Sequence, residues 1–248
     1  LIRTSRSVCH YTGNRIRARY ELIIIVKSSP ANGARRSQLR RLINRQTVRL
    51  RRPVALLFSL GLQPVSANRS LLLDAISFEA ARFDDILLAD FTDTYYNLTL
   101  KTLLNLRYAH VVCQGASPLF AFMDDDHGLN LSALLAYFHT FDEEHRGQLR
   151  QSVFGHIYDH PVVIRRPGNK WAVTRREMPF YMYPEFAAAT AFTKRFSLED
   201  AYVGLVAAKM GIKMHKLPGV DPHGPEEGLE LEQSPMVASL EYFEKHMP

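Results

Sequence analysis

ELIIIVKSS, Glu21 to Ser29, is five apolar residues in a row, four of them β-branched, closed by Ser-Ser and then Pro30. A run this short and this continuous reads as a strand buried on both faces, the kind found inside parallel sheets. PVALLFSLG, Pro53 to Gly61, has the same character. Between the two, RRSQLRRLINRQTVRLRR, Arg35 to Arg52, spaces Leu39, Leu42 and Ile43 as one face of a helix. Strand, helix, strand is the unit that builds a parallel sheet. DDILLADF, Asp84 to Phe91, adds a short strand, and TYYNLTLKTLLNLRYAHVV predicts an amphipathic helix with Leu100, Leu103, Leu104, Tyr108 and Val111 on its inner face. SPLFAFM then supplies a further strand. The fold class that follows is α/β, with a mixed, mostly parallel central sheet flanked by helices.

That last strand runs into FMDDDHG, Phe122 to Gly128, where three carboxylates stand side by side. In open α/β sheets ligands collect at the carboxyl ends of strands, so this position faces a binding crevice. Alternate residues of an extended segment point the same way, which puts Asp124 and Asp126 toward one site and Asp125 elsewhere. Two answers to their mutual repulsion are open: solvation at a helix cap, or a hard divalent cation such as Mg²⁺ or Mn²⁺, which takes oxygen ligands.

The 248 residues, 46% of them hydrophobic, can bury one large α/β core or two small ones. No run of about 18 apolar residues spans a bilayer. The chain begins with Leu, so a signal or anchor is expected upstream. Cys9 and Cys113 leave one bridge or two free thiols equally open. Residues 1–60 hold 14 Lys and Arg against one acidic residue, Glu21, whereas the remainder holds 17 basic and 24 acidic. A basic segment of this kind can bind nucleic acid or an anionic membrane. Its apolar spacing reads instead as a solvated helix face that also draws in an anionic ligand, with no nucleic-acid partner.

Downstream, Leu131 to Phe138 is helical, and VFGHIYDHPVVIRR reads as antiparallel hairpin material broken at Gly155. EDAYVGLVAAKMGI returns to helix, with acid in its first turn and Gly211 near its stop. DPHGPEEGLELEQSP is rich in Pro, Gly and acid and is expected as loop or partly disordered chain. The expected organisation is a basic extension over residues 1–20, one catalytic domain over 21–220, and a tail over 221–248. Asn68, Asn97 and Asn130 each begin an Asn-x-Ser/Thr sequon, which fits a lumenal, glycosylated chain.

Taken in order, ELIIIVKSSP with RRSQLRRL, FDDILLADFTDTYYNLTLKTLLNLRY, FAFMDDD, KWAVTRREMPFYMYPEFA and LEDAYVG resemble the blocks of the β-1,3-glycosyltransferase family. That family includes β-1,3-galactosyl- and N-acetylglucosaminyltransferases and the Brainiac-type enzymes. The resemblance covers most of residues 21 to 215, and DFTDTYYNLTLKT is its most specific block. It implies the GT-A nucleotide-sugar transferase fold and a hexosyltransferase. The reaction implied is β-1,3 transfer of galactose or N-acetylglucosamine, with inversion, from UDP-galactose or UDP-N-acetylglucosamine to a glycan on lipid or protein. Mn²⁺ is the implied cofactor, and the implied place is the lumenal side of the Golgi membrane, reached through a type II signal-anchor.

By position, the resemblance makes Asp126 and then Asp124 metal ligands, with Asp125 beside the cofactor. It makes Asp200 the general base with Glu199 next to it, and sets Lys27, Ser28 and Arg36 near the nucleotide. A late histidine, His215 or His223, would complete the metal site. Inversion needs one carboxylate to deprotonate the acceptor hydroxyl, and a cation to stabilise the departing diphosphate.

Three departures from the family pattern stand out. His127-Gly128 replaces an aromatic or β-branched pair, and the glycine is expected to loosen the backbone there. Ala188 and Ala189 stand where the family has glycines. Only Thr193 to Phe196 separate two blocks that the family holds about two dozen residues further apart, an apparent internal deletion. The alternative reading is therefore an impaired or inactive homologue acting as a Golgi binding partner.

Overall fold

The computed structural model describes residues 1–9, 19–65, 69–141, 149, 152–155, 162–169, 171–179, 181–182, 204, 206–207, 210–220 and 235–246. The chain divides into two compact units. One comprises Leu1–Thr94, Leu100–Ala136 and Asp221–Pro248, and the other Tyr95–Thr99 and Tyr137–Val220.

The first unit is organised by the strand read first. β1, Leu22–Lys27, has Leu22 through Val26 fully excluded from solvent. It lies inside a four-stranded, wholly parallel sheet of order β3-β2-β1-β4, where β2 is Val54–Leu62, β3 Ile86–Thr92 and β4 Phe120–Asp124. The parallel connections are helical: α1, Gly33–Leu50, joins β1 to β2; α2, Arg69–Phe83, joins β2 to β3; α3, Leu98–Val111, joins β3 to β4. This is the expected mostly parallel sheet flanked by helices, and it is consistent with a GT-A-like fold. The strand order reverses at β1: the chain first builds outward through β2 and β3, then returns to place β4 on the other side. The crevice beyond the carboxyl ends of β1 and β4 is thus the topological switch point, where such sheets bind ligands.

The side-chain alternation of the strands divides the core. Ile23 and Ile25 of β1 with Ala55 and Leu57 of β2 form one buried layer with Leu87 and with Tyr108 and Ala109 of α3. Phe58 points to the opposite face, where Arg40 of α1 stands over its ring at 4.8 Å. Cys9 and Cys113 are joined, at a Cα separation of 4.7 Å, and both are buried in the α3 layer. The pairing left open by the sequence is one bridge. The residues expected as a basic extension are further tied by an antiparallel bridge from Arg3 to Leu88 and by Asp84, whose carboxylate accepts from the backbone N–H of Arg6 and Ser7.

In the first unit three expectations are corrected. The inner face of α3 is rotated: Val111 is 62% exposed, while Lys101, Thr102, Asn105 and Tyr108 are buried. At Lys101 the inward cation is met by the Ser28 carbonyl just past β1 and by the Asp93 carboxylate after β3. The expected tail over 221–248 is not all tail. Val237–Ser239 forms β8, antiparallel to β5, His127–Leu129, and the helix Leu240–His246 follows it. Gly128 does not loosen this pairing. It is buried in β5, and an added Cβ would collide with the Phe243 ring and come within 3.0 Å of Leu42 Cδ2. The glycine is there for close packing, because the helix could not approach over a side chain.

In the second unit, β6, Ser152–Gly155, pairs with β7, Lys213–Lys216, in parallel and not as a hairpin. Val162 bridges Met182 antiparallel. Tyr137, Phe138, Phe141 and Phe154 pack edge to face, and Arg165 satisfies the carbonyls of Val173 and Met178. The segment 193–196 lies outside the described residues, as do Ala188 and Ala189.

Overpacking a tight core contact costs about 1–3 kcal/mol. Gly128→Ala is therefore expected to lower unfolding free energy by about that amount, read from the denaturant midpoint, and Gly128→Ala combined with Phe243→Leu is expected to recover part of it.

Candidate active site

At the carboxyl end of β1 the chain turns through Ser28, Ser29 and Pro30 into α1, and polar groups converge on Ser28 from three directions. Its N–H donates to Ser59 O at 3.0 Å, its Oγ donates to Asp125 Oδ2 at 2.7 Å, and its carbonyl accepts from Lys101 Nζ at 2.9 Å. Lys101 also donates to Asp93 Oδ2 at 2.7 Å, and both side chains are nearly inaccessible. Burial lowers the Lys101 pKa even though Asp93 opposes that shift. Asp93 is held in turn by the Gly61 N–H at 2.9 Å, and a Cβ on Gly61 would stand 2.8 Å from Phe91 O. Only glycine lets that segment come so close.

Arg36 spends every donor it has inside the protein. Nε and Nη2 take the Glu79 carboxylate at 2.8 and 2.7 Å, Nη1 reaches Ser28 Oγ and Ser29 O, and Nη2 also reaches Pro30 O. Its five N–H groups are thereby used. Arg36, which the resemblance sets in the block near the nucleotide, braces the turn from inside. Arg40, one helical turn on, pairs with Asp85 and Glu79. Glu79 is pushed up by burial but pulled below its ordinary range by the two guanidinium groups. The basic helix is therefore only partly a solvated face: Arg41, Arg45 and Arg49 are exposed, and Arg36 and Arg40 are not.

The three aspartates separate by direction, with Asp124 ending β4 and Asp125 and Asp126 in the turn that follows. Their side chains are 51%, 7% and 54% exposed at Asp124, Asp125 and Asp126. Asp124 ends β4 beside Lys27, whose Nζ is 3.1 Å away. Asp125 points inward and accepts from Ser28 Oγ, from Asn32 Nδ2 at 2.8 Å and from Arg35 Nη1 at 3.1 Å. Asp126 faces out, with His127 Nδ1 at 2.7 Å. That hydrogen bond raises the His127 pKa above 6.5 and holds Asp126 below its ordinary range. Lys27 and Ser28, both expected near a nucleotide, lie at this end of the sheet with their side chains turned to the aspartates.

Two exposed carboxylates on one turn suit a hard divalent ion, which commonly takes only one or two protein carboxylates and completes its shell with phosphate and water. Among the described residues no group of three His, Cys, Asp or Glu could hold a metal. Asp124 and Asp126 are two such oxygen donors, each with a basic neighbour, Lys27 at 3.1 Å and His127 at 2.7 Å. His215 belongs to the second unit, where its ring stacks on Phe154 at 5.0 Å and Nε2 lies 3.3 Å from Ser152 Oγ. Asp200, Glu199 and His223 lie outside the described residues.

Four participants were not foreseen: Asn32, Arg35, Asp93 and Lys101. For the last two a signal existed, since both fall in DFTDTYYNLTLKT, the most specific block. Of the sequons, Asn130 is 9% exposed and its Oδ1 accepts from Ala133 N at the start of α4, Leu131–His139. It acts as a helix cap. Asn97 ends a short 3₁₀ turn, Tyr95–Asn97, and Asn68 lies outside the described residues. No helix of the described residues is long and apolar enough to cross a membrane.

A family model described as Galactosyltransferase matches residues 34–194. Among curated proteins, the chain is 31% identical over 221 residues to an acetylgalactosaminyl-O-glycosyl-glycoprotein beta-1,3-N-acetylglucosaminyltransferase of Mus musculus, covering 82% of this chain and 55% of that protein. It is 29% identical over 241 residues to beta-1,3-galactosyltransferase brn of Drosophila melanogaster, covering 89% and 70%. It is 28% identical over 211 residues to a lactosylceramide 1,3-N-acetyl-beta-D-glucosaminyltransferase of Danio rerio, covering 77% and 54%. The chain thus spans little more than half the length of two of these three relatives.

The His127–Asp126 pair has a defined pH signature. Because the folded-state pKa of His127 is raised above 6.5, its contribution to stability is full below pH 6.5 and is lost as pH rises through the folded value. An NMR titration of the His127 ring is expected to show a midpoint above 6.5 that falls toward 6.5 in Asp126→Asn.

Proposed function

The chain belongs to the galactosyltransferase family, and on that premise we propose that it transfers a hexose, galactose or N-acetylglucosamine, from a UDP-sugar in β-1,3 linkage to a glycan on lipid or protein. The observation that carries the reading is the pair of half-exposed carboxylates, Asp124 and Asp126, at the switch point of a parallel sheet, beside a turn braced on every side. The names of the relatives support β-1,3 transfer. The disulfide supports an oxidising compartment, which agrees with the proposed lumenal Golgi setting.

In this reading Asp124 and Asp126 hold a divalent ion, Mn²⁺, which when bound supplies the positive charge that a departing diphosphate needs. Lys27 adds a second cation at Asp124, and the braces from Arg36 and Lys101 keep the Ser28 turn from shifting as negative charge accumulates. Asp200, assigned from LEDAYVG with Glu199 beside it, takes the proton from the attacking acceptor hydroxyl, and displacement from the opposite side inverts the anomeric centre. The competing reading, an inactive homologue that binds a partner, draws its support from the short spacing at 193–196.

Asp126→Ala and Asp200→Asn are each expected to lower kcat for transfer from a UDP-sugar by about a hundredfold or more. Calorimetry with UDP and Mn²⁺ is expected to show loss of metal-dependent binding in the first variant only. Wild-type turnover in both variants removes the assignment, and a wild-type chain with no metal-dependent heat selects the inactive homologue.

A further inference from the structure

We propose that Asp125 is a positioning residue, a lock between the acidic turn and the start of α1, and that it touches neither metal nor nucleotide. The proposal rests on the transferase reading for its kinetic readout but on geometry for its substance. The carboxylate is 7% exposed and three donors already engage it: Ser28 Oγ and Asn32 Nδ2 on Oδ2, Arg35 Nη1 on Oδ1. A buried carboxylate so supplied has little capacity left for an outside ligand, and its neighbours, half-exposed on either side, face the other way.

Asn32 shows what the lock costs locally. It stands at the N-cap of α1, where an asparagine ordinarily accepts a hydrogen bond from the first turn through its side chain. Here it makes no side-chain cap bond, and its amide donates instead to a residue 93 positions away. The carboxylate of Asp125 also brings negative charge to the amino end of the helix, where the helix dipole favours it. Through Ser28 the lock continues to Lys101 and Arg36. The consequence is that the turn bearing Asp124 and Asp126 and the loop from Ser28 to Asn32 move as one piece. Donor binding therefore depends on Asp125 although no donor atom meets it.

An exchange of partners tests this. Asp125→Asn removes the charge and keeps the size; Asn32→Asp alone sets two carboxylates against each other; the double exchange restores one carboxylate and one amide across the same gap. Each single variant is expected to raise the KM for UDP-sugar roughly tenfold, the order of one lost charge-assisted hydrogen bond. Mn²⁺ affinity without nucleotide, followed by electron paramagnetic resonance, is expected to stay near wild type in Asp125→Asn. Hydrogen exchange at the Ser28 and Asn32 amides is expected to quicken in both single variants. KM and amide exchange should both return toward wild type in the double exchange. Unchanged KM and exchange in Asp125→Asn overturn the proposal, and so does lost Mn²⁺ affinity that the double exchange fails to regain, since that marks a ligand. If the wild-type chain neither binds UDP with Mn²⁺ nor transfers sugar, the transferase reading falls and exchange alone decides: quickened amides restored by the double exchange uphold the lock, and unaltered amides refute it.

Discussion

A buried charge must be met by donors or acceptors of its own, because the protein interior does not solvate it. At the carboxyl end of β1 this constraint operates several times within one turn of chain. Asp125, Lys101, Asp93 and Arg36 are all nearly inaccessible, and all but Asp93 bond Ser28 directly. Asp93 enters through Lys101. A small residue with one hydroxyl, one N–H and one carbonyl thus organises four ionised side chains from the turn after β4, α3, α1 and the segment after β3. Lys101 and Asp93 cannot be removed singly without leaving the other buried and uncompensated, and through Ser28 that pair is tied to Asp125 and Arg36. The exposed pair, Asp124 and Asp126, inherits its position from that rigidity.

Much of the sheet was legible in the sequence because buried parallel strands leave the plainest pattern available: short apolar runs separated by helix-length segments. LIIIVK and VALLFSLGL behaved accordingly, and the intervening helix followed from Leu39, Leu42 and Ile43. What misled was counting apolar residues as a proxy for the inner face. In α3 the apolar stripe and the buried stripe differ, because Lys101 and Asn105 face inward. Periodicity locates a helix but registers only hydrophobic burial, and here a carboxylate and a carbonyl from elsewhere in the chain decide the rotation. The parallel pairing of β6 with β7 was hidden for a related reason, since partners some sixty residues apart leave no local turn signal.

The site was legible as a location more than as an arrangement. Strand-end position and alternation were enough to separate Asp125 from its neighbours. Arg36 is set near the nucleotide by the resemblance alone, and its role as an internal brace leaves no mark in the local sequence. Its partner Glu79 lies 43 positions on, on α2, and nothing in the local sequence announces it. Gly128 was misread likewise: a glycine suggests slack, but whether it gives slack or room depends on what packs above it, here Phe243 from the far end of the chain.

The covalent link from Cys9 to Cys113 spans 104 positions and joins the amino-terminal strap to the residues just past α3. Closing so long a loop removes a large share of the conformational freedom of the unfolded chain, on the order of 4–5 kcal/mol in the chain-entropy account. Biosynthesis in a reducing cytosol therefore yields a chemically different molecule, in which the strap is retained by the burial of Val8 and by backbone and Asp84 hydrogen bonds, and the helix that carries Lys101 has lost its tether. Recombinant material intended for assay needs an export route with thiol oxidation, or refolding under a redox couple, before its catalytic competence says anything about the native chain.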